Sequence, residues 1–210
     1  MEPDPKSSST ARLIVVGKNS KIWRRLAGRR MTTDMPLVAL GHNDIADFSF
    51  SPNDLAWILS YSKRDAANDL LFRRLHSAGL RRMVYVSTAT TNVVTNTRCY
   101  SYPTAKAAAE ASARAQFDTV IARIGIMYDD ASELPRGPVV ATSYEELEKF
   151  ITSFKFEEHA EQGEALVFEV LELPFASSVE KSLFRCYSYV QRRTGSYPCI
   201  LRPLDLILIP

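Results

Sequence analysis

The feature that most constrains the fold of this chain is an alternation of short apolar runs with stretches of helical periodicity. Each apolar run stops at a glycine or at small polar residues, and the runs are Leu13–Val16, Pro36–Leu40, Leu55–Leu59, Met83–Val86 and Thr119–Ile124. Helical periodicity marks Ser20–Arg30, Asp65–Ala78 and Thr104–Gln116. This alternation predicts right-handed strand–helix–strand units and a buried parallel sheet.

The part of the chain after Asp129 is more mixed. We expect strands at Pro138–Ala141 and Glu164–Leu171. One helix is expected to end at Ser153 and a second to span Ser177–Arg193, followed by a final apolar run at Cys199–Ile209. The hydroxyl groups between Thr142 and Glu145 are suited to cap the first of these helices. A chain of 210 residues supports one good hydrophobic core. We therefore expect a loose tail at residues 1–10, a core at 11–130 and a small cap packed on that core at 131–210.

Composition argues against several classes of protein. The net charge is only +2, whereas a nucleic-acid-binding surface normally carries a stronger positive excess. The three cysteines are far apart and odd in number, so we expect no disulfide framework and a reducing compartment. The three histidines form no metal-ligand spacing with them, so no metal site is expected. The first ten residues lack a signal-peptide pattern and no apolar run is long enough to span a bilayer, so we expect a cytoplasmic protein.

The predicted strands place small or polar residues at their carboxyl ends. Four such segments are Gly17–Ser20, Ser60–Ser62, Ser87–Thr90 and Gly125–Tyr128. Ligands of open parallel sheets bind beyond the carboxyl ends of the strands, so we expect these segments to converge on one crevice. The first of them leads into a helix N-terminus, which favours an anion such as a phosphate. An ordinary strand–helix turn is the alternative interpretation.

A tyrosine and a lysine stand four residues apart in Tyr102-Pro103-Thr104-Ala105-Lys106. At the start of a helix the two side chains share one face. A lysine cation beside a phenol favours the phenolate and lowers the phenol pKa, so Tyr102 becomes able to exchange a proton with a substrate hydroxyl or carbonyl. A hydroxyl from Ser87 or Thr88 would hold the same substrate oxygen. A surface pair arising by chance is the alternative.

The segments around this motif resemble the extended and atypical branches of the short-chain dehydrogenase/reductase superfamily, especially sugar-nucleotide epimerases, dehydratases and reductases. The resemblance runs from about Arg12 to Asp129 and is strongest from Asn68 onward. It is carried by the helix and turn at 68–79, by Arg-Met-Val-Tyr-Val-Ser-Thr-Ala-Thr at 82–90, by the Tyr-x-x-x-Lys helix, and by Ile-Ala-Arg-Ile-Gly-Ile-Met-Tyr at 121–128.

The resemblance implies an α/β fold of the Rossmann type, with a doubly wound parallel sheet, a small C-terminal cap and bound NAD or NADP. It assigns Thr88 to polarising the substrate oxygen, Tyr102 to acid–base catalysis and Lys106 to the nicotinamide ribose. Ser87 replaces Thr88 if the register differs by one residue. The residues that it places near the cofactor are Gly17, Lys18, Asn19, Ser20, Ser60, Lys106, Gly125 and Ile126.

The first loop departs from the family pattern Gly-x-x-Gly-x-x-Gly. Gly17, Ser20 and Trp23 occupy the three glycine positions, and Trp23 is bulky where helix and strand normally pack closely. Weak dinucleotide binding therefore requires that Trp23 turn away from the path of the pyrophosphate. Asp44, near the tip of the second strand, is placed to reach a ribose hydroxyl, but it does not decide between NAD and NADP.

Two functions follow from these observations. The first is an NAD(P)-dependent oxidoreductase, epimerase or dehydratase acting on a sugar nucleotide or a similar hydroxyl or carbonyl compound, in a setting such as polysaccharide biosynthesis. The second is a non-catalytic Rossmann module that binds a nucleotide or a partner protein, which Trp23 and the short cap favour. The trio of Thr88, Tyr102 and Lys106 favours the enzyme. A homodimer is compatible with either function.

Overall fold

A computed structural model describes residues 11–29, 31–60, 65–92 and 102–194. The strands in these ranges are β1 Leu13–Val16, β2 Leu37–Leu40, β3 Leu55–Ile58, β4 Arg82–Thr88, β5 Asp118–Ile124, β6 Ile126–Tyr128, β7 Gly137–Ser143, β8 Glu164–Val167 and β9 Glu169–Leu173. The α-helices are α1 Lys21–Ala27, α2 Asp65–Ser77, α3 Tyr102–Gln116, α4 Tyr144–Ser153, α5 Phe156–Ala160 and α6 Ser178–Thr194.

Six strands form one parallel sheet in the order β2-β1-β3-β4-β5-β8. The chain moves from β1 to β2 on one side and returns to β3 on the other, which makes the carboxyl ends of β1 and β3 the topological switch point. All the strand ends predicted to carry ligand-binding residues therefore lie on one edge of one sheet. The predicted α/β fold with a parallel sheet is confirmed.

The sheet is covered on both faces, because alternate side chains of each buried strand point to opposite sides. Val15, Trp57 and Val84 lie on the face packed by α1 and α4. Ile14, Ile58 and Tyr85 lie on the opposite face, which is packed by α2 and α3. The helix residues of this second cluster include Leu71, Phe72, Leu75, Ala109 and Ala113. Burying each large apolar side chain contributes roughly 1.5–3 kcal/mol, so the two faces together supply most of the driving force for folding.

Helix boundaries follow the capping residues that the sequence contains. Gly79, at φ +100°, ends α2, where its N–H donates to the His76 carbonyl and the next N–H, of Leu80, donates to Leu75. Ser143 begins α4, where its Oγ accepts the Glu146 N–H at 3.0 Å. Both caps were predicted from the sequence.

The apolar alternation predicted as one strand, Glu164–Leu171, is two strands that belong to different sheets. β8 pairs in parallel with β5 and completes the six-stranded sheet. β9 pairs antiparallel with β7, which with β6 forms a second sheet of three strands. The region predicted as a cap therefore also supplies a strand of the main sheet. Alternation reveals the faces of a strand but not its partner, so the sequence pattern missed this division.

The connection between β2 and β3 is short. Between the two strands lies only a single turn of 3-10 helix, Asp44–Asp47. In the usual doubly wound order of 3-2-1-4-5-6, another strand lies outside the second. Here β2 is at the end of the sheet that the structure describes, and residues 41–47 follow its carboxyl end. Of these residues, 41–44 form the outer wall of the crevice described below.

The last described element is α6, where Phe184 packs against Phe175 with ring centroids 5.5 Å apart. Nowhere in residues 11–29, 31–60, 65–92 and 102–194 is there a helix both long and apolar enough to cross a membrane. The apolar run predicted at Cys199–Ile209 and the tail at residues 1–10 lie outside the described residues.

Candidate functional site

A crevice of about 1030 Å³ opens at the carboxyl ends of β1, β2 and β3. Its walls are residues 17–22, 41–44 and 59–60, together with Tyr102 at the start of α3. The first three segments follow the three strands that meet at the switch point. Of the four segments predicted to converge, Gly17–Ser20 and Ser60 line this crevice, Tyr61 and Ser62 lie outside the described residues, and Ser87–Thr90 and Gly125–Tyr128 do not line it.

Gly17 is the residue that lets the first loop turn into the crevice. Its φ is +111°, in the region that side chains disfavour, and an added Cβ would lie 2.9 Å from the backbone nitrogen of Ser60. Its N–H donates to the Leu40 carbonyl at 2.8 Å, so the loop is also tied to the end of β2. The glycine thus joins the three strand ends that form the crevice.

We expect Gly17→Ala to lower the free energy of unfolding by about 1–3 kcal/mol, because the backbone conformation is strained for alanine and the Cβ meets fixed backbone. Gly41→Ala is the matched control at the end of the adjacent strand. Gly41 lies outside the positive-φ region, and its added Cβ meets the flexible end of Lys18 at 3.2 Å. Urea unfolding of both variants measures the difference, and equal stability of the two would contradict the assignment.

Ser20 and Trp23 show how the departure from the glycine pattern is accommodated. Ser20 caps α1, and its Oγ accepts the Trp23 N–H at 3.0 Å. The Trp23 side chain is only 8% exposed and packs with Leu13, Leu26 and the other side chains of the core face that α1 covers. Trp23 does not line the crevice. The bulky side chain therefore fills the core and leaves the crevice open.

Opposite charges meet at the outer wall of the crevice. Lys18 Nζ lies 2.5 Å from Asp44 Oδ2, and the same oxygen accepts the Gly41 N–H at 2.8 Å. The Lys18 hydrogen bond, followed by that from Gly41, lowers the pKa of Asp44, so its carboxylate is ionised at neutral pH. The wall thus presents a cation, an anion and the side chain of Asn43 to a polar ligand.

The tyrosine and lysine of the predicted motif lie on the first turns of α3, but they differ in exposure. Tyr102 lines the crevice. Lys106 is 5% exposed, and its Nζ donates to the Val86 carbonyl at 2.9 Å and lies 4.8 Å from the centre of the Tyr85 ring. Burial lowers the pKa of Lys106 to about 8, against the opposing effect of Glu110. Lys106 is therefore a buried amine that changes charge near neutral pH.

The two hydroxyl residues at the end of β4 point to opposite faces of the sheet. Ser87 is buried, and its Oγ donates to Glu110 Oε1 of α3 at 2.5 Å. Thr88 Oγ1 lies 3.1 Å from Thr90 Oγ1 and accepts the Thr90 N–H. The short helical turn that follows, Ala89–Asn92, contacts α3. Thr88 therefore lies at the end of β4 next to that turn, and it does not line the crevice that Tyr102 lines.

Gly125 and Ile126, predicted to lie beside the cofactor, stand where β5 passes into β6. An added Cβ on Gly125 would lie 2.5 Å from the Val140 carbonyl oxygen, and the Gly125 N–H donates to Thr142 Oγ1 at 2.9 Å. The close approach of β7 thus explains the glycine. Ile126 is 42% exposed. Neither residue lines the crevice, so their contact with a cofactor stays a prediction.

A buried group of charges beneath the site was missed by the sequence analysis. Arg123 of β5 places Nη2 3.0 Å from Glu110 Oε2 and Nη1 2.6 Å from Glu164 Oε2. Burial lowers the pKa of Arg123, but its hydrogen bonds and proximity to the two glutamates raise it overall, so the guanidinium stays charged. Two features of the sequence could have indicated these buried charges. Glu110 follows Lys106 by one turn in an alanine-rich helix, and Arg123 stands inside an apolar strand.

No group of three or more histidine, cysteine, aspartate or glutamate side chains suited to a metal ion occurs within the described parts of the chain. The polar groups that line the crevice include hydroxyls, amides and the Lys18–Asp44 ion pair. The chemistry that they support is proton transfer and the binding of a polar organic ligand.

No family model matches this sequence, and no curated protein matches it. Solved structures match its fold. UDP-N-acetylglucosamine 4-epimerase from Bacillus cereus superposes with a TM-score of 0.55 at 11% identity, covering 85% of this chain and 86% of that chain. A wide-type short-chain dehydrogenase/reductase from Veillonella parvula, in complex with NADP, gives a TM-score of 0.53 at 13% identity, covering 78% and 95% of the two chains.

MoeE5, in complex with UDP-glucuronic acid and NAD, gives a TM-score of 0.54 at 13% identity, covering 90% of this chain and 84% of that chain. Sequence identities this low establish the fold alone. The predicted resemblance to the short-chain dehydrogenase/reductase superfamily is therefore confirmed at the level of the fold.

Proposed function

We propose that this protein is an NAD(P)-dependent enzyme of the short-chain dehydrogenase/reductase type, which transfers hydride at a carbon bearing a hydroxyl or carbonyl group. The observation that carries this proposal is the position of Tyr102. It lines the same crevice as the Gly17–Ser20 loop, and Lys106 lies one helical turn behind it. The proposed dinucleotide-binding loop and the proposed acid–base side chain thus share one cavity.

The crevice fits a dinucleotide in three respects. Gly17 leaves no room for a Cβ between the first loop and Ser60, so the backbone lines the cavity closely. The buried Oγ of Ser60 has no hydrogen-bond partner among the described residues, although Ser60 belongs to the crevice wall. Trp23, the main departure from the family loop, points into the core. Together these features support a polar ligand at the switch point.

The chain's own residues have distinct parts in binding. The loop of Gly17, Lys18, Asn19 and Ser20 would hold the phosphates, and Ser60 would bind a neighbouring polar group. Lys106 would hold the nicotinamide ribose, with Gly125 and Ile126 near the nicotinamide ring. The Bacillus cereus epimerase is named for UDP-N-acetylglucosamine, MoeE5 is in complex with UDP-glucuronic acid and NAD, and the Veillonella parvula protein is in complex with NADP. We extend the proposal to NAD or NADP and to a sugar nucleotide or similar small substrate.

The proposed chemistry centres on the Tyr102 oxygen. NAD(P), when bound, supplies the hydride acceptor or donor. In the direction of alcohol oxidation the Tyr102 phenolate takes the hydroxyl proton as the carbon loses hydride, and a carbonyl remains. In the reverse direction the phenol returns the proton to the developing alkoxide. The Lys106 ammonium favours the phenolate through its positive charge, and Thr88 holds the substrate oxygen by a hydrogen bond.

Thr88 is proposed for this role in preference to Ser87. The Ser87 hydroxyl donates to the buried Glu110 carboxylate of α3, which leaves it no proton for a substrate oxygen. Thr88 lies at the end of β4 next to the turn that contacts α3. The mutual distances of the Thr88, Tyr102 and Lys106 polar atoms stay a prediction. A cytoplasmic setting in polysaccharide biosynthesis and a homodimeric state also belong to this proposal.

Thermal unfolding in the presence of NAD⁺, NADH, NADP⁺ and NADPH tests the cofactor. A ligand that binds only the folded protein stabilises it by about 2.7 kcal/mol at a hundred times its Kd. We expect at least one of the four to raise the Tm of the wild type, and the Gly17→Ala variant to lose that response. AMP serves as a control for the adenine moiety alone.

Absence of any shift with all four dinucleotides would overturn the enzyme proposal and support the non-catalytic module. One observation already favours that second function. The Lys106 amine donates to the Val86 carbonyl, and Lys106 is not part of the crevice wall.

A further inference from the structure

We propose that Glu110 is a positioning residue of this site, which fixes the end of β4 against α3 and supplies the negative charge that keeps the Lys106 amine protonated. The proposal deepens the function proposed above and rests on it. Glu110 does not line the crevice; it hydrogen-bonds with Ser87 and Arg123 and acts on Lys106 through its charge.

Both carboxylate oxygens of Glu110 have fixed partners. The residue is 7% exposed; its Oε1 accepts from Ser87 Oγ at 2.5 Å and its Oε2 from Arg123 Nη2 at 3.0 Å. Ser87 directly precedes Thr88 on β4, and Glu110 follows Lys106 by one turn of α3. One side chain therefore links the strand that carries the proposed Thr88 hydroxyl to the helix that carries Tyr102 and Lys106.

Glu110 also acts on Lys106 as a negative charge. On α3 the amine is accompanied by Tyr102 and Glu110, and from β4 it meets the Tyr85 ring and the Val86 carbonyl. Arg123 of β5 pairs with Glu110, and Glu164 of β8 pairs with Arg123. Burial lowers the pKa of Lys106 to about 8, and the Glu110 charge raises it against this effect. Loss of that charge shifts the amine toward its neutral form.

Stability alone does not account for a buried glutamate at this position. Buried ion pairs contribute little compared with apolar side chains of the same volume, because both charges lose their hydration. Arg123 has a second carboxylate in Glu164, whose side chain is 44% exposed and lies at the edge of the network. A glutamate at position 110 adds what Glu164 does not: contact with β4 and a charge next to Lys106.

The first test measures the pKa of Lys106 in the protein without nucleotide, by NMR titration of ¹³C-labelled lysine side chains. Lys106→Arg identifies the signal. We expect the Lys106 pKa to fall below its wild-type value in Glu110→Gln and to stay at that value in Glu164→Gln. The two variants make the same chemical change on the two partners of Arg123, so the control isolates the effect on Lys106. Glu110→Asp keeps the charge and should restore much of the wild-type value.

The second test measures the affinity for NADH and NADPH between pH 6 and 9. An amine with a pKa near 8 is charged below that pH, so wild-type affinity should fall as the pH rises through 8. In Glu110→Gln the fall should begin at lower pH and reach several-fold at pH 8, with little change at pH 6. Ser87→Ala keeps the charge and removes the link to β4, so it should lower kcat without moving this pH profile.

An unchanged Lys106 pKa in Glu110→Gln, or an equal fall in Glu164→Gln, would show a merely structural role and overturn the proposal. If Glu110→Gln does not fold, Glu110→Asp and Ser87→Ala decide the matter: a wild-type kcat in Ser87→Ala contradicts the positioning role. Failure of the wild type to bind any dinucleotide would overturn the proposed function, while the NMR titration would still decide whether Glu110 controls Lys106.

Discussion

Tyr102→Phe is expected to lower turnover on the order of a hundredfold or more, the usual contribution of a general acid or base, with the Tm almost unchanged. The substitution removes the one oxygen proposed to exchange a proton with the substrate and keeps the ring. Tyr102 is only partly buried at the start of α3, so little packing depends on its hydroxyl. Steady-state kinetics with an identified substrate and thermal unfolding measure the two effects.

Tyr128→Phe is the matched control. The Tyr128 hydroxyl donates to Glu169 at 2.6 Å, and this bond together with partial burial raises its pKa to about 12, so it is not an acid–base group at neutral pH. Its loss should leave turnover unchanged. Lys106→Ala should lower both turnover and cofactor affinity. Full activity in Tyr102→Phe would show that the tyrosine–lysine spacing arose by chance.

Arg123→Ala is expected to lower the free energy of unfolding by about 3–5 kcal/mol, the usual cost of breaking a buried ion pair from one side. The side chains of Arg123 and Glu110 are 12% and 10% exposed. Without the guanidinium, the Glu110 carboxylate keeps only the Ser87 hydroxyl as a described hydrogen-bond donor. Urea unfolding, analysed by linear extrapolation, measures the change.

Removing both charges together provides the control. The double variant Arg123→Met with Glu110→Leu replaces the pair by apolar side chains of similar size, and we expect it to recover most of the lost stability. Glu164→Gln should cost much less than Arg123→Ala, since Glu164 is partly exposed. A loss below about 1 kcal/mol in Arg123→Ala would mean that the site behaves as a solvated surface pair.

The main sheet could be predicted because each of its first five strands carries its own local signal. β4 was expected at Met83–Val86 and extends over Arg82–Thr88. Gly17 and Ser60 were expected at one crevice because the carboxyl ends of parallel strands share an edge, and both line it, whereas Ser87–Thr90 and Gly125–Tyr128, expected there for the same reason, do not. The prediction needed only apolar patterning, small residues at strand ends and the rule for parallel connections.

The remaining features depend on contacts between distant residues. Nothing near Glu110 in the sequence indicates that its partners are Ser87 and Arg123, on two neighbouring strands. The sequence also does not show which way the Trp23 side chain points. A tryptophan at the third position of α1 can either block the Gly17–Ser20 loop or fill the core beneath the helix. Its actual direction depends on the space left by Leu13, Leu26 and Trp57.

The position of β8 has a consequence for synthesis of the chain. This strand pairs with β5 along Ile121–Ile124, yet it is made only after the whole of the second sheet's β6 and β7 and the helices α4 and α5. Until residues 164–167 leave the ribosome, the nascent protein presents the backbone of β5 as an open edge. Open edges of apolar strands pair with other chains, so a translational pause in residues 126–163 is the interval at which a nascent chain most needs a chaperone.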